Sequence, residues 1–155
     1  MKPKIKFATL KDFKDIQDLN HRLCLKEYAE FDQTIDKDYS LSDPSEKYFK
    51  KRIRSGCALV AVLENKVIGY LVGGIVEAEE YRTISKLAEA ENMFVLEKFR
   101  SLGIGGKLFK EFIKWCRLKK AKRVRVVASA QNFRAIRFYR REGFKDYDLV
   151  LERNI

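Results

Sequence analysis

The chain has 155 residues, 46% of them hydrophobic and 35% charged, enough for one domain to bury about two-thirds of its unfolded surface without a metal or a disulfide. That balance argues against disorder. The formal charge of +11 points to an anionic partner and leaves nucleic acid, a membrane surface and a phosphorylated ligand all open.

Lys4 to Ala8 alternates apolar and charged residues and predicts a first strand. Thr9 and Asp12 form a capping-box-like start, and Phe13, Ile16, Leu19 and Leu23 follow at helical spacing, so a helix is expected from about Leu10 to the mid-twenties. His21 lies in this helix as a structural or solvated residue. From Glu27 to Ser42 the periodicity is lost. Glu27, Glu30, Asp32, Asp36, Asp38 and Asp43 collect there among Tyr28, Phe31 and Tyr39. This reads as a mobile acidic segment, either a solvated loop or a substrate-side lid whose carboxylates attract a cation. Asp43 before Pro44 predicts an N-cap, completed by Glu46, and a second helix to about Ser55 that Gly56 ends.

Cys57–Leu63 and Val67–Val76 flank a tight turn at Glu64-Asn65-Lys66 and predict a hairpin. Gly69, Gly73 and Gly74 would weaken an ordinary strand, so they mark bulges or a place where something packs close to the backbone. After a second acidic cluster, Glu77, Glu79 and Glu80, a strand is expected over Ile84–Val95. A glycine-rich loop and an amphipathic helix presenting Leu108, Phe109, Phe112, Ile113 and Cys116 come next. Lys122–Ala128 predicts a short strand, Ala135, Ile136 and Tyr139 a helix ended by Gly143, and Phe144–Arg153 one or two final strands. No linker or repeat divides this α/β pattern, so residues 1–155 are expected to form one domain.

Cys24, Cys57 and Cys116 are odd in number, widely spaced and served by one histidine. They predict reduced thiols and no metal site. The segment MKPKIKF lacks a signal peptide's apolar core, and no apolar run approaches about 18 residues. A cytoplasmic protein with no membrane partner is expected.

The chemistry is concentrated in Glu91–Lys114. A strand feeding through Gly103, Gly105 and Gly106 into a helix aims unpaired N–H groups and the positive end of the helix dipole at one point. That arrangement is either an anion site or an ordinary glycine-rich turn. Within it, Arg100-Ser101-Leu102-Gly103-Ile104-Gly105 resembles the [Arg/Gln]-x-x-Gly-x-[Gly/Ala] core of the GNAT superfamily of N-acetyltransferases. Asn132-Phe133-Arg134-Ala135, leading to Phe138-Tyr139 and Gly143-Phe144, resembles that family's second signature on the following helix. The chain departs from the commonest pattern at Glu97, where proline often stands, and at Ser101-Leu102, which replaces Gly-[Lys/Arg].

The resemblance implies an α/β GNAT-like fold, a mixed and mostly antiparallel central sheet flanked by helices, with strand four bulged and splayed from strand five. It implies acetyl-CoA as co-substrate. The backbone of Arg100, Ser101, Leu102, Gly103, Ile104 and Gly105, with Gly106, would hold the pyrophosphate. Met93, Phe94 and Val95 would pair with the pantetheine arm, Asn132 and Tyr139 would lie beside it, and Lys107 and neighbouring basic residues would reach the adenosine phosphates. The implied reaction is direct attack of an amine on the thioester. Tyr139 would serve as general acid. Glu91 is the first candidate for the base and Glu89 the second, on the same face of a regular strand; a water path without one essential base is the third possibility. The division of charge favours a cationic acceptor, a small amine, polyamine or peptide amino group. A homodimer is compatible with the family. Two alternatives keep less of the reading: a non-catalytic acyl-CoA-binding protein of this fold, and a nucleic-acid-binding basic protein, which lacks any recognised motif.

Overall fold

The computed structural model describes residues 2–155. Its strands are β1 (Lys4–Phe7), β2 (Cys57–Leu63), β3 (Lys66–Val76), β4 (Leu87–Val95) and β5 (Arg123–Val126). The helices are α1 (Phe13–Glu30), α2 (Asp43–Ser55), α3 (Ile104–Leu118) and α4 (Phe133–Arg141). The strands lie in the order β1-β2-β3-β4-β5, antiparallel except for the parallel β4–β5 pair. The parallel pair follows from the connection, since α3 returns the chain to the same end of the sheet before β5 begins.

Both faces of the sheet are covered, which is why CALVAVL is apolar at every position. Leu59, Leu71, Ala88 and Ala90 meet Leu108, Phe109 and Phe112 of α3 on one side. Ala58, Val60, Tyr70, Val72 and Phe94 meet Ile16, Leu19 and Phe49 of α1 and α2 on the other. Phe109 carries α4 with it, through edge-on contacts to Phe138, Tyr139 and Phe144 at 5.5–6.1 Å between ring centroids.

The expected hairpin forms, with Glu64 and Asn65 both at positive φ, the twist that matches two right-handed strands. The expected glycine irregularities in β3 have specific causes. The β2–β3 register skips Ile68 next to Gly69, and the β3–β4 register skips Glu91 opposite Val72 and Gly73. A Cβ on Gly73 would stand 2.2 Å from the Glu89 carbonyl oxygen and 2.9 Å from the Phe112 ring, and one on Gly74 would stand 2.3 Å from the Arg52 guanidinium.

Strand β4 starts at Leu87 rather than Ile84 and β5 is trimmed to Arg123–Val126, and four further features differ from the sequence reading. Helix α1 continues to Glu30, because Glu27 carries the stripe of Ile16, Asn20 and Leu23 one turn further. Residues 31–42, read as a mobile acidic segment, are tied down by their own carboxylates. Asp32 accepts from the Thr34 N–H at 2.9 Å, Asp36 from the Asp38 N–H at 3.0 Å, and Asp38 faces His21 at 2.9 Å. The cap of α2 is Ser42, whose hydroxyl reaches the Ser45 N–H; Asp43 is already helical. No strand forms beyond Phe144. Tyr147 and Val150 supply strand propensity in that segment, but no ladder partner takes up its backbone, and Leu149, Val150 and Leu151 are exposed.

Candidate active site

The pairing of β4 is asymmetric along its length. Leu87–Ala90 pairs with Arg123–Val126 of β5, whereas Asn92–Val95 pairs with β3 alone. The edge carrying Met93, Phe94 and Val95 is therefore unclaimed on its β5 side. From Val95 the chain turns through a short 3-10 segment, Glu97–Phe99, into the loop before α3. Arg100 fixes this turn: its Nε donates to the Val95 carbonyl at 2.7 Å, and its guanidinium lies 4.9 Å from the centre of the Phe94 ring.

Ser101 has φ 63° and Gly103 φ 74°, so the loop doubles back twice before α3 starts. Ser101, standing where the family pattern has glycine, holds a left-handed conformation despite its Cβ, at a cost of about 1 kcal/mol. The N–H groups of Ser101 to Gly106 find no backbone acceptor among the described residues; the next, Lys107, bonds to the Gly103 carbonyl. These donors and the positive end of a 15-residue helix suit a pyrophosphate. The Arg100 N–H, expected to join them, is spent on the Glu97 carbonyl at 3.1 Å. The later glycines face α4: a Cβ on Gly105 would stand 3.4 Å from the Phe138 ring, and one on Gly106 3.5 Å from a Glu142 carboxylate oxygen. They bring α4 close to the loop. Lys107 is exposed beside it.

Asn132 caps α4, its Oδ1 accepting from the Ala135 N–H at 3.1 Å, which leaves its amide NH2 free to donate. Tyr139 is packed against Phe109, Phe138 and Phe144, and burial, helped by the negative charge of Glu27, pushes its phenol up to about 12. It is a proton donor at any physiological pH.

Both carboxylates predicted as bases are held by arginine. Glu89 receives Arg125 Nε at 2.8 Å, with Glu79 on the same guanidinium at 2.8 Å. Glu91, the extra residue of the β4 bulge, pairs with Arg52 of α2 and accepts a 2.5 Å hydrogen bond from the Tyr48 hydroxyl. Because the bulge breaks the alternation, Asn92 turns to the same face as Glu91. Its Nδ2 donates to Tyr48 at 3.3 Å, and Asn20 of α1 donates to Asn92 Oδ1 at 3.2 Å and to the Tyr70 hydroxyl at 2.8 Å. Burial and Glu91 push the Tyr48 phenol well above its ordinary value, so it donates rather than ionises.

Tyr48, Arg52, Asn20 and Tyr70 were not anticipated from the sequence. The available signal was the Gly73-Gly74 pair, which announced that something approaches β3 without saying what.

The three thiols do not offer a nucleophile. Burial raises Cys116 to about 11 and Cys57 to about 12, and burial with Glu27 raises Cys24. No helix is long and apolar enough to cross a membrane among the described residues.

Comparison with solved structures gives close agreement in fold at low identity. The BH1408 protein from Bacillus halodurans superposes with a TM-score of 0.85 at 21% identity, covering 98% of this chain and 99% of that one. A putative acetyl transferase from Pyrococcus furiosus gives 0.77 at 21%, over 99% and 100%. The aminoglycoside N-acetyltransferase AAC(6')-Iy in complex with CoA gives 0.77 at 16%, over 99% and 94%. A comparison with curated proteins gives no match. Residues 17–144 match the model of the acetyltransferase (GNAT) family, a span that holds both signatures, the bulged strand and Tyr139. The chain thus belongs to the GNAT family of acetyltransferases, and it adopts the expected α/β fold, a mixed five-stranded sheet with β4 and β5 parallel and helices on its faces.

Proposed function

We propose that this acetyltransferase moves an acetyl group from acetyl-CoA to a primary amine by direct attack in a ternary complex. The observation that carries this reading is the run of N–H groups from Ser101 to Gly106, unpaired among the described residues and set between Met93 of the free β4 edge and Phe138 of α4. Bound acetyl-CoA would supply the thioester carbon that the amine attacks, its C–S bond breaking to release CoA.

The residues divide the remaining work. Ser101 to Gly106 hold the pyrophosphate through their N–H groups, and Lys107 adds a positive charge at the rim. Met93, Phe94 and Val95 pair with the pantetheine amides along the edge that β5 leaves open, and the free Asn132 NH2 donates beside them. Tyr139 gives its proton to the departing sulfur.

An amine is protonated at neutral pH and must lose that proton before attack. Glu91 is the better placed of the two carboxylates. It ends a hydrogen-bonded chain through Tyr48, Asn92 and Asn20, and with Arg52 on one oxygen it acts as the fixed negative end of a water path. Glu89, clamped by Arg125, is the second candidate. The second nitrogen proton, released as the amide forms, replaces the one that Tyr139 delivers. Three protonated thiols support direct transfer over a cysteine-bound intermediate.

The acceptor is a cationic amine. A CoA-release assay across monoamines, polyamines, aminoglycosides and peptide N-termini tests the reading. Turnover with at least one amine and kcat reduced in Tyr139→Phe are expected. Tight acetyl-CoA binding with no turnover on any amine would instead leave an acyl-CoA-binding protein of this fold.

A further inference from the structure

The acidic residues of the chain's first third have nearly all been given local work by the fold. Glu30 pairs with Lys26, Asp32 and Asp36 close turns, Asp38 meets His21, and Glu46 pairs with Lys50. On the β3–β4 side Glu79 and Glu89 share Arg125, and Glu91 has Arg52. Glu27 is different. It is half-buried on the sheet-facing side of α1, yet its carboxylate has neither a cation nor a hydrogen-bond donor among the described residues. Burial raises it above the usual carboxylate value, the mark of a charge that has lost water and gained nothing in return.

Its position is defined by the helix. Ile16, Asn20, Leu23 and Glu27 recur at intervals of four, three and four residues, so they lie along one stripe of α1. Asn20 marks where that stripe meets Asn92 and Tyr70, and Glu27 stands two turns further on, about 10 Å along the axis. Helix α1 packs on β3 and β4, and the charge of Glu27 helps raise the phenols of Tyr70 and Tyr139 and the thiol of Cys24. Two carboxylates thus lie on the face of the sheet that α1 covers: Glu91 at the bulge, paired with Arg52, and Glu27 two turns along α1 from Asn20, without a partner among the described residues.

We infer that Glu27 is the acceptor-selecting residue of this enzyme, binding a second ammonium of a polycationic amine while another of its nitrogens attacks the thioester. The inference rests on the acetyl-transfer reading and narrows its acceptor to amines with at least two cationic centres. A half-buried carboxylate without a partner costs stability in the free protein, and an incoming ammonium repays it in a site where water screens poorly. A monoamine leaves Glu27 unsatisfied once bound, so discrimination arises from the unpaired group as much as from the new contact.

The test compares spermidine and the aminoglycoside neamine with n-butylamine, in wild type, Glu27→Gln and Glu27→Asp. Wild type should prefer the two polycations by at least tenfold in kcat/KM. Glu27→Gln should abolish most of that preference through KM for the amine, with KM for acetyl-CoA changed less than twofold. Glu27→Asp, which keeps the charge, should retain part of the preference. Glu27→Gln should melt at or above the wild-type temperature, whereas a residue needed only for folding would lower it and depress all three substrates together.

Wild-type turnover with the same polycation preference in Glu27→Gln overturns the inference alone. A wild-type protein that binds acetyl-CoA and acetylates none of a broad amine panel overturns the acetyl-transfer reading on which it rests.

Discussion

The guanidinium of Arg52 crosses over Gly74 to reach Glu91, and it can do so only because β3 has no side chain at that point. Helix α2 and the bulge of β4 are joined by this pair, whose side chains are 19% and 16% exposed. Gly73 next to it serves a different purpose, since its missing Cβ makes room for the Glu89 carbonyl and the Phe112 ring. The two neighbouring glycines should therefore respond differently to alanine. Gly73→Ala meets backbone and should cost about 3 kcal/mol in urea unfolding. Gly74→Ala meets the movable end of Arg52, so it should cost about 1 kcal/mol or less while releasing Glu91 and lowering kcat. Equal stability losses in the two variants would mean that Arg52 does not occupy the space over Gly74.

Breaking the pair from either side tests its role separately from the glycine. The Arg52 Nε is buried without a partner, which makes this a pair held for position rather than for maximal stability. Arg52→Met removes the cation and leaves Glu91 with Tyr48 alone. It should destabilise the fold by about 3 kcal/mol, and a double-mutant cycle with Glu91→Gln should show coupling of about 1–3 kcal/mol. Additive effects would show that Arg52 and Glu91 act independently.

The parts legible in the sequence were those coded locally. Both signatures, the hairpin at Glu64-Asn65, the helix end at Gly143 and the apolar face of α3 depend on neighbours within a few residues, and each forms where expected. What stayed hidden depends on distant partners. Glu91 was read as a strand residue and first candidate for the base, and its partner Arg52, 39 positions earlier, announced itself only through the room it needs over β3. The carboxylates at 32, 36 and 38 looked like one acidic cluster because composition cannot distinguish a turn-forming aspartate from a free one. The final strands failed for a related reason: the apolar run Leu149-Val150-Leu151 was visible, whereas the absence of a paired neighbour was not.

The loop before α3 contains a mild contradiction that can be measured. Ser101 occupies a left-handed backbone conformation and Gly103 occupies another, although only the second residue lacks a Cβ. Ser101→Gly should stabilise the protein, or at least not harm it, by up to about 1 kcal/mol, with acetyl-CoA affinity unchanged. Gly103→Ala should cost about 1 kcal/mol and, by turning the free N–H groups, weaken acetyl-CoA binding about tenfold in calorimetric titration. If Gly103→Ala bound acetyl-CoA as tightly as wild type, the N–H groups of this turn would not be the pyrophosphate site.

Tyr139 gives a kinetic and a pH prediction. Its ring is part of the α3–α4 packing, which phenylalanine preserves. Tyr139→Phe should keep the melting temperature within a few degrees while kcat falls about 10- to 100-fold, the usual contribution of a positioned acid. Burial holds the phenol up to about 12 in the folded protein, against 10.0 ordinarily. The folded state therefore retains a proton that the unfolded state loses first. The associated stability is complete below pH 10 and is lost as pH rises toward 12. Wild type should lose stability across that interval more steeply than Tyr139→Phe in pH-dependent melting.

At the acid end the corresponding group is Asp12, only 8% exposed at the start of α1. Burial alone would raise its carboxyl. The Thr9 N–H at 2.8 Å and the Lys6 ammonium at 2.9 Å outweigh that and hold it below its ordinary value. Because the folded value is depressed, the stabilisation is fully present above the unfolded value and is lost as pH falls through the folded one. Asp12→Asn keeps an acceptor but removes the charge that Lys6 and the Thr9 N–H hold, so it should cost about 1–2 kcal/mol at neutral pH. The gap between variant and wild type should close in acid, once the wild-type carboxyl is itself protonated. A gap that persisted unchanged below the folded value would assign the loss to packing around Asp12 rather than to its charge.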